Sequence, residues 1–210
     1  MADTTASDDS TVHASEIGPR LQLRDVTLPG SVGEELARAY GSEQPIETGA
    51  AWVETMTDAL ADEVGRTPTA DDLCTSPDGD HTFVGDSEEQ SYICVLDPLI
   101  YPFLTDTPGT VRSETPVRGE TVEVEIGETA ATATHDDAVV SLGAAATGDP
   151  SDPVTFERVY RQVCGYVHIF ADRAEYDQWA ADVDAATTTV PVAEGIAVAR
   201  ELTTALFGQQ

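Results

Sequence analysis

The sequence predicts an α+β protein, in which a helical N-terminal third precedes a mainly antiparallel sheet with flanking helices. Apolar residues recur at the spacing of amphipathic helices between Val32 and Val64. From Thr82 onward, short β-branched runs alternate with turn residues, and valine and isoleucine alternate with acids at 122–126, which indicates a sheet with one solvated face. A chain of 210 residues with 40% hydrophobic content is long enough to bury such a core.

Three segments are expected along the chain. Residues 1–20 are rich in Asp, Ser and Thr without periodicity, which predicts a flexible acidic tail. Residues 21–80 are predicted to form a helical N-terminal subdomain, and residues 81–210 an α+β domain. The first subdomain helix should follow Gly30, and the second should start near Gly49 and end at Gly65.

The α+β domain should begin with an antiparallel meander. Helices are expected to start at Asp97 and Asp172, because Asp is a favoured N-cap, and a last helix should end at Phe207 before Gly208. The buried run 163–171 resembles a strand in composition. The predicted strands are 82–84, 92–95, 110–114, 121–126, 129–134, 138–142, 163–171 and 196–198.

The charge of the chain is strongly acidic. Its formal net charge is −29, and all ten basic residues are arginine, a balance typical of proteins adapted to high salt. Such a surface repels phosphate backbones, which argues against a nucleic-acid partner. The sequence also lacks an apolar run of membrane-spanning length and a recognisable secretion signal at its start. We therefore expect a cytoplasmic protein with no membrane partner.

The chain has three cysteines. An odd number in a reducing compartment points away from a disulfide framework and toward thiol chemistry, metal binding or burial. Cys74 lies in a turn-rich segment, and we interpret it as structural or incidental.

Cys94 and Asp97 stand three residues apart in the most apolar and aromatic run of the sequence, residues 91–103. A thiol just before a helix N-terminus gains thiolate character, although a buried cysteine acting as a small hydrophobe fits the same position. As an N-cap, Asp97 would be held ionised by backbone N–H groups. If the helix instead starts near Cys94, both side chains share one face and the carboxylate is free.

Cys164 lies in the predicted strand 163–171, on one face with Tyr166, His168 and Phe170. A thiol and an imidazole on one face could act as metal ligands or as nucleophile and base. A histidine satisfied within the core explains the same pattern, and no CxxC or HxxxH spacing accompanies it.

Several groups of residues follow one another in a characteristic order between Tyr92 and Phe207. They are Cys94-Val95-Leu96-Asp97 with Leu99, Pro102 and Leu104, then Thr115-Pro116-Val117-Arg118-Gly119 before Val122, and then Val163–Ala171 with the Trp179 helix. Together they resemble the organomercurial (alkylmercury) lyase family. The resemblance implies a winged-helix-like character for the N-terminal helical region and makes residues 81–210 the catalytic domain.

The resemblance implies that Cys94, Asp97 and Cys164 form the catalytic set, with the two cysteines binding mercury. It implies cleavage of a carbon–mercury bond by protonolysis, giving a hydrocarbon and Hg(II). No cofactor is expected, and small-molecule thiols or a mercuric reductase would accept the Hg(II). Thiolates suit a soft metal, and proton delivery to carbon needs a nearby acid such as Asp97.

Two positions depart from the family pattern. Thr115 stands where well-known members carry a structural cysteine, and Gly165 where some carry a cysteine beside the catalytic one. Neither is one of the three catalytic positions. Around Cys94, we expect Tyr92, Tyr101 and Phe103 to wall an apolar pocket for the organic group.

Two other functions fit the same residues. The first is a non-enzymatic protein on the same fold that binds or senses a soft metal, mercury or copper, through Cys94, Cys164 and His168. The second is a cysteine nucleophile assisted by His168. Release of a hydrocarbon from an organomercurial would separate the lyase from both.

Overall fold

The computed structural model describes residues 26–64, 66, 68–127, 130–147 and 152–208. The predicted acidic tail, residues 1–20, lies outside these residues. The elements in chain order are α1 (Gly30–Ala39), α2 (Gly49–Val64), β1 (His81–Val84), β2 (Glu89–Tyr92), α3 (Leu96–Thr105), β3 (Gly109–Glu114), β4 (Thr121–Ile126), β5 (Ala131–Ala133), β6 (Val139–Ala144), α4 (Phe156–Gln162), β7 (Ile169–Phe170), α5 (Arg173–Ala180), β8 (Ala186–Pro191) and α6 (Val192–Phe207). This is an α+β fold, as predicted.

Helices α1 and α2 confirm the two helices predicted near the N-terminus. In α1, the helical spacing places Val32 and Leu36 in the core. At the start of α2, the Thr48 hydroxyl accepts a hydrogen bond from the Ala51 amide at 3.1 Å. Because α2 packs against α6 near the C-terminal end of the chain, the N-terminal helices share one core with the sheets.

The first sheet has five antiparallel strands in the order β2-β1-β3-β4-β5. In β4, the side chains of Val122, Val124 and Ile126 are buried, whereas Thr121 and Glu125 are exposed. This alternation confirms the predicted sheet with one solvated face.

The second sheet has three strands in the order β7-β6-β8. The predicted meander is therefore wrong at its last connection, because β6 pairs with β7 and β8 and not with β5. From Val140 to Ala144 every residue of β6 is buried, so this strand has core on both faces. A strand without a polar face can pair in either sheet, and its sequence does not indicate which.

The predicted strand 163–171 is also wrong over most of its length. Helix α4, which the sequence did not predict, ends at Gln162, and residues Cys164–Tyr166 form a 3-10 turn. The Thr155 hydroxyl caps α4 by accepting a hydrogen bond from the Arg158 amide at 3.1 Å. A short apolar run is compatible with several conformations, and here only Ile169–Phe170 is extended.

The predicted strand 196–198 lies inside helix α6, and strand β8 was not predicted. The helix packs closely on β6, since a Cβ atom at Gly195 would stand 2.8 Å from Cγ2 of Val140. No helix in the described part of the chain is both long and apolar enough to span a membrane.

Candidate functional site

The segment between β2 and α3 places Cys94 just before the N-cap of a helix and Asp97 on its first turn. Strand β2 ends at Tyr92, and the N-cap of α3 is Val95, so the predicted strand through Cys94 and the predicted capping role of Asp97 are both wrong. The Asp97 amide donates to the Cys94 carbonyl at 3.3 Å. The alternative holds, in which the helix starts near Cys94 and the carboxylate is not used as a cap.

Cys164 reaches this turn through a contact between distant parts of the chain. The Val95 amide donates to the Val167 carbonyl at 3.2 Å, and the Val167 amide donates to the Cys164 carbonyl at 3.2 Å. Cys94 and Cys164 line the same cavity, and the neighbouring Cys94 thiol is one cause of the raised pKa of Cys164. The structure therefore brings together the two cysteines that the sequence analysis paired.

The Asp97 carboxyl group is enclosed by protein. Its Oδ2 atom is buried and has no hydrogen-bond partner among the described residues, while the backbone amide of Cys74 lies near enough to the carboxyl to favour its charged form. Burial raises the pKa of Asp97 to about 7, and the Cys74 amide opposes this shift only in part. A carboxyl group of this kind can hold a proton and release it near neutral pH.

The Cys164 thiol is held in its protonated form in the metal-free protein. The neighbouring thiols of Cys74 and Cys94, then burial, and then the charges of Cys94 and Asp97 raise the pKa of Cys164 well above its usual value. Each of these groups disfavours an additional negative charge. Binding of a soft metal would displace this proton, because the thiolate is the metal-binding form.

An apolar cavity opens beside the three side chains. It encloses about 650 Å³ of space between atoms, part of which is open to solvent. Tyr160, which is 38% exposed, lies at its rim. The walls come from both the N-terminal helices and the α+β region, and include Tyr40, Trp52, Met56, Phe156, Val159, Leu202 and Phe207.

The aromatic residues predicted to wall this pocket lie elsewhere. Tyr92, Tyr101 and Phe103 are absent from the cavity lining. The Tyr92 side chain is fully buried, the Tyr101 hydroxyl donates to Glu88 at 2.8 Å, and Phe103 packs under the guanidinium of Arg200. Sequence proximity to Cys94 was misleading because these side chains point to the side of α3 and β2 away from the thiols.

Cys74 belongs to the site, although we interpreted it as structural or incidental from the sequence. It lines the same cavity as Cys94, Asp97 and Cys164, its amide lowers the pKa of Asp97, and its thiol raises the pKa of Cys164. Its position depends on pairing between Thr75 and Tyr92, and no spacing in the sequence signals that contact.

Comparison with known proteins adds an independent finding. The family model described as "MerB: Alkylmercury lyase" matches residues 75–204, more than half of the chain. The chain belongs to the alkylmercury lyase family. Cys94, Asp97 and Cys164 fall inside the matched range, and Cys74 immediately precedes it. The high-salt origin and the cytoplasmic location stay predictions, as do the domain boundaries near residues 20 and 80.

One solved structure, titled "Crystal structure of the mercury-bound form of MerB2", is similar to this family member at 13% sequence identity. The similarity covers 85% of this chain and 93% of that chain, with a TM-score of 0.47. No curated protein matches the sequence.

Two further positions of this alkylmercury lyase family member have structural roles. Thr115 is buried, and its hydroxyl accepts a hydrogen bond from the Glu120 amide at 3.1 Å and bonds to the carboxylate of Glu175. His168 does not line the cavity. Its Nε2 atom bonds to the Gly165 carbonyl at 3.0 Å and its ring packs against Trp179. The expected shared face of Cys164 and His168 is wrong, because Cys164 lies in a 3-10 turn.

Proposed function

We propose that this protein is an organomercurial lyase that cleaves a carbon–mercury bond by protonolysis. The observation that supports it most is a desolvated carboxyl group, Asp97, beside the interacting thiols of Cys94 and Cys164 at the wall of an apolar cavity. Family membership supports the same activity. In this proposal the mercury is substrate and product, and no cofactor takes part.

The two thiols would bind the organomercurial R–Hg–X in turn. The thiol of Cys94 displaces X as HX and forms an S–Hg bond. The thiol of Cys164 then coordinates the same mercury and transfers its proton to the Asp97 carboxylate. Two thiolates increase the electron density on the carbon bound to mercury, which makes that carbon a better proton acceptor.

The protonated Asp97 would then complete the reaction. Its proton goes to the carbon, and the electron pair of the C–Hg bond becomes the C–H bond of the released hydrocarbon. Mercury stays in the +2 state on the two thiolates, so no oxidant or reductant is needed. The raised pKa of Asp97 suits this role, because an acid is most effective when its pKa lies near the working pH.

The apolar cavity would hold the organic group and limit access of water. Side chains of the lining such as Trp52 and Met56 carry no negative charge, so they bind mercury less strongly than the thiolates of Cys94 and Cys164 do. Hg(II) would leave to small-molecule thiols or to a mercuric reductase.

The test is release of benzene from phenylmercury in the presence of excess small-molecule thiol, measured by gas chromatography. Cys94→Ser, Cys164→Ser and Asp97→Asn should each abolish turnover. Asp106→Asn is the matched control, because Asp106 is exposed at the other end of α3 in a left-handed conformation that Asn tolerates.

Two results would contradict the proposal. Unchanged turnover in Cys94→Ser would show that binding of mercury by the two thiols of Cys94 and Cys164 is not part of the mechanism. Stoichiometric binding of Hg(II) with no hydrocarbon released from any organomercurial would instead favour the non-enzymatic binding or sensing protein.

A further inference from the structure

The cavity contains one more thiol than the proposed reaction uses. We propose that Cys74 is an intramolecular acceptor, to which Hg(II) passes from Cys94 while Cys164 keeps its bond to the metal. The inference rests on the proposed function for the source of the Hg(II), and on the arrangement of the three thiols for the transfer itself.

The backbone holds Cys74 against the site from two sides. The Ile93 amide donates to the Cys74 carbonyl at 3.3 Å, and Thr75 forms an antiparallel bridge with Tyr92. Cys74 and Asp97 line the same cavity, and the Cys74 amide acts on the Asp97 carboxyl by lowering its pKa. These contacts fix the segment next to both the proton donor and the turn that holds Cys94.

Cys164 occupies the middle position among the three thiols. All three cysteines line the same cavity, and the neighbouring thiols of Cys74 and Cys94 both raise the pKa of Cys164. Among the residues that the structure describes, no group of three or more His, Cys, Asp or Glu side chains is arranged to hold one metal ion together. The arrangement therefore favours two overlapping thiol pairs that share Cys164 over a single three-thiolate site.

The two pairs differ in their access to solvent. Cys94 is buried, with 4% of its surface exposed, whereas Cys74 and Cys164 are each partly exposed. Transfer from Cys94 to Cys74 would exchange a buried ligand for a partly exposed one while Cys164 stays in place. A small external thiol can attack mercury more readily at the accessible pair.

The transfer is a ligand exchange without change of oxidation state. Hg(II) starts bonded to the sulfurs of Cys94 and Cys164, and the Cys74 sulfur forms a new bond to it. The Cys94–Hg bond breaks, and the proton released from the Cys74 thiol ends on the Cys94 sulfur. The products are Hg(II) on Cys74 and Cys164 and a free Cys94 thiol, which can accept the next substrate molecule.

The first experiment measures Hg(II) binding and does not depend on activity. HgCl₂ is titrated against the full-length protein and its serine variants in competition with a small thiol, by equilibrium dialysis. Cys74→Ser and Cys94→Ser should each keep one two-thiolate site. Cys164→Ser should bind more than about a hundred-fold more weakly, since it loses a direct ligand common to both pairs.

Circular dichroism and thermal unfolding of the metal-free variants check that each one folds. Thr75→Ser is the control for disturbance of the segment, because Thr75 is exposed and adjacent to Cys74. It should bind Hg(II) as the unaltered chain does. A folded Cys94→Ser variant that binds as weakly as Cys164→Ser would overturn the proposal, because Cys74 and Cys164 would then not form a site.

The second experiment follows phenylmercury turnover at limiting external thiol. In Cys74→Ser, the ratio of the steady-state rate to the first-turnover rate should fall several-fold, and excess thiol should restore it. Thr75→Ser should keep the original ratio. An active Cys74→Ser enzyme with the unaltered ratio would overturn the acceptor role but leave the lyase proposal standing, whereas absence of benzene from the unaltered chain would contradict only the lyase proposal.

Discussion

The backbone amide of Cys74 is the one group that lowers the pKa of the buried Asp97 carboxyl, whose Oδ2 atom has no hydrogen-bond partner among the described residues. Cys74 comes from the segment before the first sheet, and Asp97 from the first turn of α3. One backbone donor partly compensates the burial of this group, which explains why its proton is lost only near neutral pH. The charge state of Asp97 should therefore appear in the stability of the protein.

Asp97→Asn should change how stability depends on pH in the metal-free protein. The folded carboxyl has a pKa of about 7 and the unfolded one about 3.8, so the folded state binds the extra proton between these values. Stability from this group is full below pH 3.8 and is lost as the pH rises through 7, by an amount on the order of 4 kcal/mol. Urea unfolding from pH 5 to 8 should show a smaller decrease in Asp97→Asn than in the unaltered chain.

His81 should make the stability of the protein depend on pH in the opposite direction to Asp97. Its side chain is fully buried, and neither ring nitrogen has a hydrogen-bond partner among the described residues. Burial, with a smaller effect of His168, lowers the pKa of His81 to about 3. The unfolded chain takes up this proton near pH 6.5, so stability is lost as the pH falls from 6.5 toward 3. Between pH 7 and acid pH, the His81→Leu variant should lose less of its free energy of unfolding than the unaltered chain loses. An unchanged acid midpoint in urea titrations would exclude His81 as a source of acid sensitivity.

Glu175→Ala should be strongly destabilising. The buried Glu175 carboxylate accepts hydrogen bonds from the amides of Arg118 at 2.9 Å and Ala171 at 3.0 Å, joining the turn after β3 to the end of β7. Removal takes the acceptor from both amides, and because Ala171 is buried whereas Arg118 is exposed, the cost should be about 2 kcal/mol in the free energy of unfolding. Glu157→Ala is the control, because Glu157 is exposed and its ion pair with Arg161 should contribute less than about 1 kcal/mol. Equal losses in the two variants would contradict this assignment.

Alanine substitutions at two glycines should have opposite signs. At Gly195 the new methyl group would stand 2.8 Å from Cγ2 of Val140, and the overpacking should cost about 1–3 kcal/mol. At Gly30, the first residue of α1, nothing lies within 4 Å, and alanine should stabilise by about 0.5 kcal/mol through its helix propensity. Thermal unfolding of both variants checks the pair, and a stabilising Gly195→Ala would show that α6 does not pack on β6 this closely.

Short-range patterns in the sequence correctly predicted those helices and strands that are determined by residues close together in the chain. The alternation at Val122 and Val124 predicted β4, and the Asp172 side chain caps α5 by accepting from the Glu175 amide at 2.8 Å, as expected. Ile196 and Val198 suggested a strand because β-branched residues favour strands, but both are buried residues of helix α6, whose Gly195 packs closely against Val140.

The site depended on contacts that no local pattern encodes. Cys94 and Cys164 meet because the Val95 amide binds the Val167 carbonyl, and such long-range pairing leaves no trace in spacing. The family resemblance supplied that pair of residues and Asp97. It could not supply Cys74, which precedes the residues matched by the family model.

The Val95–Val167 contact also means that mercury held between Cys94 and Cys164 would be a crosslink between two distant parts of the chain. Like a disulfide, a bridge of this kind restricts the unfolded state and adds its own binding free energy to that of folding. The protein with bound mercury should then be more rigid than the metal-free protein. Removal of the metal would free the two thiols and would also restore the flexibility that the crosslink had removed.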